Sequence, residues 1–264
     1  MIAPPLCTLP RRWLNGGKRC ISTIGFEARR AELSVYSFAM INTITFTPKK
    51  SCSQHSTWPV LFVIYNLPPW FRRTRFGDLN PQFAVDSIGN LTNLVSFNAS
   101  SFELPGIKGF IPLSLGNLCR LNTLILSQNN LSGIVLSTLS QLVSLSILDL
   151  SHNLLNGSIP ESFASLRNLS SLDLSSNFLS GSIPRGIGVL QNLRTLNFSN
   201  NRFVSDVPPQ LGDLTGLIDL DLSFNSLGST LPSDLKGLRS LRTFAVGNNK
   251  IFDSLPNGIF AELK

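Results

Sequence analysis

Four cysteines and two histidines are all that the 264 residues offer to thiol or metal chemistry. Cys7, Cys20, Cys52 and Cys119 are separated by 13, 32 and 67 residues, which makes neither a CxxC metal pair nor a disulfide framework. On this reading Cys119 is a partly exposed free thiol without a special role. His55 and His152 are too few and too remote in the chain to complete a three- or four-ligand site, so no metal or cofactor is expected. Long apolar runs are missing too. The longest, Leu33 to Phe46 and Trp58 to Phe71, are broken by Asn42 and by Asn66, Pro68 and Pro69, short of the ~18–20 residues a spanning helix needs. No membrane span is expected in this chain. The N-terminus has two prolines followed by Arg11 and Arg12, without the apolar core and cleavage site of a secretory signal. Its Arg-rich, acid-poor start up to Glu27 is also the composition of an organelle transit peptide or of an unstructured tail.

Acidic residues are scarce only in the first third. Residues 1–87 carry 11 Lys+Arg against 4 Asp+Glu, which is the whole formal net charge of +7, whereas residues 88–264 carry 11 of each. A nucleic-acid partner for the C-terminal two thirds therefore has no electrostatic footprint.

What the sequence has is a period. Leu121, Leu145, Leu169, Leu193, Leu217 and Leu241 recur every 24 residues, and the phase never slips. Three residues after each anchor stand Leu124, Leu148, Leu172, Leu196, Leu220 and Phe244. Five after stand Leu126, Leu150, Leu174, Phe198, Leu222 and Val246. The alternation at the end of this L-x-x-L-x-L unit predicts a short strand with one buried face.

Eight residues after each anchor comes an asparagine: Asn129, Asn153, Asn177, Asn201, Asn225 and Asn249. A buried amide has two donors and an acceptor, so this column is expected to satisfy backbone groups where each strand turns away. Gly133, Gly157 and Gly181 then admit a tight turn. An apolar residue and proline follow in Ile159-Pro160, Ile183-Pro184, Val207-Pro208, Leu231-Pro232 and Leu255-Pro256, bending the chain at one point per unit. Phe163 and Leu166, or Leu211 and Leu214, are placed to pack inward from a short helical turn opposite. One further unit starts at Leu94, 27 residues before Leu121, giving about seven repeats over residues 88–264. A single repeat cannot bury its apolar face, and stacking provides the continuous core.

The run from Leu169 to Asn177 and on through Gly181-Ser-Ile-Pro184 resembles the plant-type leucine-rich repeat. The segment Arg73–Asp86, with Asn90-Leu-Thr and Phe97-Asn-Ala-Ser100, looks like the start of the ectodomain of a plant leucine-rich-repeat receptor-like kinase. The resemblance implies a curved right-handed α/β solenoid, with short parallel strands on the concave face and irregular or 3-10 segments on the convex face. It further implies an extracellular or cell-surface location and a protein or peptide ligand, or a co-receptor, as partner. The chain departs from such a receptor in showing no signal peptide, membrane helix or kinase signature. Paired cysteines around a tryptophan usually open the family's cap. Here Cys52 and Trp58 echo it without a second cysteine before Cys119. Residues 1–70 are therefore expected to be a poorly defined basic segment, from a degenerate cap or a wrongly joined reading frame, and 71–87 a lead-in. Two alternatives to the receptor reading are a secreted inhibitor of cell-wall-degrading hydrolases and a truncated product without independent function.

Catalysis has one tempting constellation, Asp149, Ser151 and His152. Neighbouring units repeat the pattern as Asp173 with Ser175 and Asp221 with Ser223, so these residues follow the repeat and the chain is not expected to be an enzyme. Residues between the buried leucines should face the concave side in columns. Ile125, Asp149, His152, Asp173, Asn197, Asp219, Asp221 and Phe224 are the candidate binding face, Phe224 and Asp221 foremost. Asn90, Asn98, Asn130, Asn156, Asn168 and Asn197 each head an N-x-S/T sequon, which permits glycosylation in an exported chain. Asn- and Ser-rich repeats also generate sequons by composition alone.

Overall fold

The computed structural model describes residues 92–100 and 108–252, with Gly89 and the backbone of Thr43–Thr45. The expectations for the rest of 1–70, for the lead-in up to residue 87, for Asn90 and for Leu255-Pro256 fall outside the described residues.

Each 24-residue unit closes into one coil. The second leucine of its L-x-x-L-x-L stretch centres a three-residue strand, buried in the middle and half-exposed on either side in all but the last, whose central Phe244 is only half-buried. These strands are β2 (Ser96–Asn98), β4 (Thr123–Ile125), β6 (Ile147–Asp149), β8 (Ser171–Asp173), β10 (Thr195–Asn197), β12 (Asp219–Asp221) and β13 (Thr243–Ala245). They pair in parallel and in sequence order, with β1 (Thr43–Thr45) added beside β2. The register repeats the period: Leu148 lies beside Leu172, Leu172 beside Leu196 and Leu196 beside Leu220.

Opposite this sheet lie six 3-10 turns among the described residues, at Leu113–Asn117, Ser137–Gln141, Glu161–Ser165, Arg185–Val189, Pro209–Asp213 and Ser233–Gly237. Pro112, Pro160, Pro184, Pro208 and Pro232 precede five of them with extended backbone, φ between −72° and −62°, the value the pyrrolidine ring imposes. Phe163, Leu166, Leu169, Leu172, Leu174 and Leu179 of one coil all point inward and are fully buried. Each contributes roughly 1.5–3 kcal/mol relative to exposure, and the stacked coils share one unbroken core.

A second sheet was not anticipated from the sequence. After Asn129, Asn153, Asn177 and Asn201 the chain stays extended, giving β5 (Asn130–Ile134), β7 (Leu154–Gly157), β9 (Phe178–Gly181) and β11 (Arg202–Phe203), and β3 (Lys108–Phe110) adds a strand beside β5. These five parallel strands flank the first sheet along the coil and form a lateral face. Gly133, Gly157 and Gly181 lie in it with φ of 80°, 75° and 78°, left-handed values that suit a residue without Cβ.

Cys119 corrects an expectation. It is half-buried, but it is disulfide-bonded rather than a free thiol. Every other cysteine of the chain lies before residue 89, outside the described residues. The cysteine spacings carry no pairing signal, because only the fold decides which sulfurs meet.

Candidate functional site

The concave sheet sets the candidate binding residues in order. Its in-register pairing makes one row of Asn98, Ile125, Asp149, Asp173, Asn197, Asp221 and Ala245, about 4.8 Å from strand to strand. Asp219 belongs to the parallel row two residues earlier, beside Thr195 and Thr243. All of these are half-exposed.

The acidic row is built into the turns. Asp149 Oδ1 accepts from the Ser151 amide at 3.0 Å and from Ser151 Oγ at 2.7 Å. Asp221 does the same with Ser223 at 2.9 and 2.6 Å. Asn197 Oδ1 does so with Ser199 at 3.1 and 2.8 Å. The Asp–Ser pairs therefore hold the chain as it leaves the strand, which is the role that the repeating pattern of Asp149 and Ser151 suggests. One carboxylate oxygen of Asp149 and of Asp221 is left without a hydrogen bond among the described residues. Burial pushes the Asp173 carboxyl above the usual carboxylate range. Hydrogen bonds from Ser175 and Asn197 oppose the shift, and the nearby Asp149 charge adds to it.

His152 and Phe224 sit differently from the rest. Seven residues after each anchor, Gln128, His152, Ser176, Asn200, Phe224 and Asn248 all adopt φ between 53° and 57°. This left-handed turn lets both backbone groups bond to neighbouring coils. Phe224 donates to the Gly247 carbonyl at 2.9 Å, and its own carbonyl accepts from Asn201 at 3.1 Å. Asparagine tolerates the conformation, whereas for a bulky residue it is an outlier. Phe224 keeps it with a side chain 53% exposed on the rim of the concave face.

Behind the row runs the asparagine column. Asn177 Nδ2 donates to the carbonyls of Leu150, Leu174 and Ser175 at 3.0 to 3.2 Å, and its Oδ1 accepts from Leu155 at 3.0 Å. Asn153 and Asn201 repeat the arrangement one coil away on either side, and Asn225 follows. Asn129 reaches the Ala99 carbonyl and Asn249 the Leu222 carbonyl, each at 2.9 Å. The column fixes the strands that carry the acidic row and is not itself a contact surface.

Among the described residues no group of three or more His, Cys, Asp or Glu is placed to hold a metal ion. No helix there is long and apolar enough to cross a membrane. The asparagines of the remaining sequons divide by place. Asn98 and Asn197 lie in the concave row, Asn168 on the outer side, and Asn130 and Asn156 in the lateral sheet.

The family model for the leucine rich repeat matches residues 119–179 and 182–251. A probable LRR receptor-like serine/threonine-protein kinase of Arabidopsis thaliana is 47% identical over a match covering 18% of this chain and 8% of its own length. The Arabidopsis receptor kinase HAESA, solved with the peptide hormone IDA and the co-receptor SERK1, superposes with a TM-score of 0.62 at 33% identity, covering 68% of this chain and 30% of HAESA. A pollen receptor kinase 3 superposes with a TM-score of 0.52 at 31% identity, over 60% of this chain and 75% of the other. The chain thus spans a small part of the kinase and under a third of HAESA. By its repeats, its coil geometry and these likenesses, it belongs to the leucine-rich-repeat family, in the company of plant receptor-kinase ectodomains.

Proposed function

We propose that these repeats form part of the ligand-binding ectodomain of a cell-surface receptor, taking an extended peptide or a partner-protein loop along the concave sheet. The observation that carries this reading is the continuous row of Asp149, Asp173, Asn197 and Asp221, bordered by the exposed, left-handed Phe224. The acidic row complements Lys or Arg spaced along an extended chain. Phe224 supplies the kind of aromatic anchor in which binding energy concentrates. That a related ectodomain was solved with a peptide hormone and a co-receptor supports the partner class. The disulfide at Cys119 supports an oxidising, extracellular setting. The role is recognition rather than catalysis.

Selection of linear peptides displayed on phage against the immobilised chain tests the reading. Selected peptides should carry Lys or Arg near an apolar residue. Asp221→Asn and Phe224→Ala should each weaken the strongest of them about tenfold, which corresponds to ~1.4 kcal/mol, and Arg167→Ala on the outer side should not. Binding that is indifferent to both concave substitutions rejects the site.

A further inference from the structure

The lateral sheet presents an apolar strip to solvent. Ile134 is 56% exposed and Phe178 is 40% exposed, and the residue between them in the pairing register is Asn156: Ile134 pairs with Asn156 across β5 and β7, and Asn156 with Phe178 across β7 and β9. In-register side chains of a parallel sheet stand about 4.8 Å apart on one face, so the amide of Asn156 rises between two exposed apolar groups. The Arg202 guanidinium, from the next strand β11, stands 4.6 Å over the Phe178 ring, which keeps 40% of its surface exposed.

Asn156 heads the sequon Asn156-Gly157-Ser158, and Asn130, on β5, heads Asn130-Leu131-Ser132. Both asparagines are exposed, and neither amide makes a hydrogen bond among the described residues. The other described sequons differ. Asn98 Oδ1 is tied to Ser100 at 3.1 and 3.0 Å, and Asn197 Oδ1 to Ser199, inside the concave row. Asn197 Nδ2 also donates to Asp173. Asn168 is exposed, but its Nδ2 donates to the Val143 carbonyl at 2.9 Å, which seats that nitrogen against the preceding coil.

We propose that Asn130 and Asn156 carry N-linked glycans, and that the glycan on Asn156 covers the apolar strip between Ile134 and Phe178. The modification is a group transfer from an oligosaccharide carried on a polyprenyl diphosphate. Asparagine Nδ2 bonds to sugar C1, the C1–oxygen bond to the diphosphate breaks, and the polyprenyl diphosphate leaves with the electron pair. One amide proton passes to a base of the transferase. The first sugar then lays its C–H groups on the strip, removing from water the apolar surface that would otherwise invite association. The disulfide at Cys119 fits passage through the oxidising compartment where this transfer occurs. The inference does not depend on what the concave face binds.

The full chain, expressed in a eukaryotic host behind a heterologous secretion leader, provides the test, with retained and secreted fractions both collected. Release of glycans by peptide-N-glycosidase in heavy-oxygen water marks each occupied asparagine as a labelled aspartate for mass spectrometry. The expected result is label at Asn130 and Asn156 and none at Asn98, Asn168 or Asn197. Ser158→Ala, at an exposed residue, should remove one glycan and raise binding of an apolar dye, as Asn156→Gln should. Unlabelled Asn156 overturns the proposal, whether or not other sites are labelled. Labelled Asn156 with dye binding unchanged on glycan loss overturns the covering of the strip and leaves the wild-type surface open to a protein partner instead.

Discussion

Gly212 faces the backbone carbonyl of Asp234 so closely that a Cβ at residue 212 would overlap its oxygen. The two belong to successive 3-10 turns on the outer side of the solenoid, where the coils approach through bare backbone. A methyl group there must push two coils apart, and overpacking of this kind costs about 1–3 kcal/mol. Gly212→Ala should destabilise the chain by that amount in urea unfolding. Gly228 has nothing within 4 Å of the same added atom, so Gly228→Ala should be neutral or gain about 0.4–1 kcal/mol by restricting the unfolded chain.

Asn177→Ala removes three donated bonds and one accepted bond at a buried site. Leaving the Leu155 amide and its neighbouring carbonyls unpaired should cost about 1–3 kcal/mol per group that water cannot reach. The same change at Asn249, on a coil whose Val246 and Phe244 are only partly buried, should cost less. Equal losses at the two positions in denaturant titrations would contradict the dependence on burial.

Phe224 occupies a left-handed position that Asn200 and Asn248 fill on neighbouring coils. Phe224→Asn should relieve backbone strain and stabilise the fold by about 1 kcal/mol, while removing the aromatic anchor from the concave rim. A rise in melting temperature together with lost peptide binding is the expected pair of results. A fall in melting temperature would show that the ring packs productively on the coil beside it.

Asp173 provides the pH dependence. Its folded pKa is raised above the ordinary value of 3.8, so the folded chain binds this proton more readily than the unfolded one. Acidification from neutral through the raised pKa therefore favours folding at this site, the reverse of what a paired carboxylate with a depressed pKa does. Asp173→Asn should raise the melting temperature at neutral pH, with the advantage fading once wild-type Asp173 is protonated. An advantage that persists unchanged at low pH would place its origin elsewhere.

The disulfide predicts a chemical result. Cys119 should resist alkylation in the folded, non-reduced chain and react after reduction. Cys119→Ser should lower stability by about 2–4 kcal/mol, the usual worth of closing a long loop. Ready labelling of Cys119 without reductant would show that the bond is not formed.

The period made most of this fold legible. Leu121 to Leu241 at intervals of 24 specify a strand per coil, because only one stacking register buries every leucine. The lateral sheet escaped notice because its strands are two to five residues long and one residue in two is polar. Leu131, Leu155 and Leu179 alternate with Asn, Ser and Gly, a pattern too brief to separate from a turn. The left-handed backbone at His152 and Phe224 was equally hidden. No glycine marks it, and the inter-coil hydrogen bonds impose it from outside the local sequence. At the candidate site, the sequence places Asp149, Asp173 and Asp221 in one column. It does not show that the following serines commit one oxygen of Asp149 and Asp221.

The asparagine column has a direction. Each side chain takes its long-range partners from the coil before it: Asn153 from Leu126 and Leu131, Asn177 from Leu150 and Leu155, Asn201 from Leu174 and Leu179. The side-chain amide of each ladder asparagine thus finds its partners already laid down by the coil synthesised just before, while its backbone amide waits for the coil after, as that of Asn153 does for the Ser176 carbonyl. The array grows as masonry does, course upon course. Pulled from its C-terminal end, it should come apart in the opposite order.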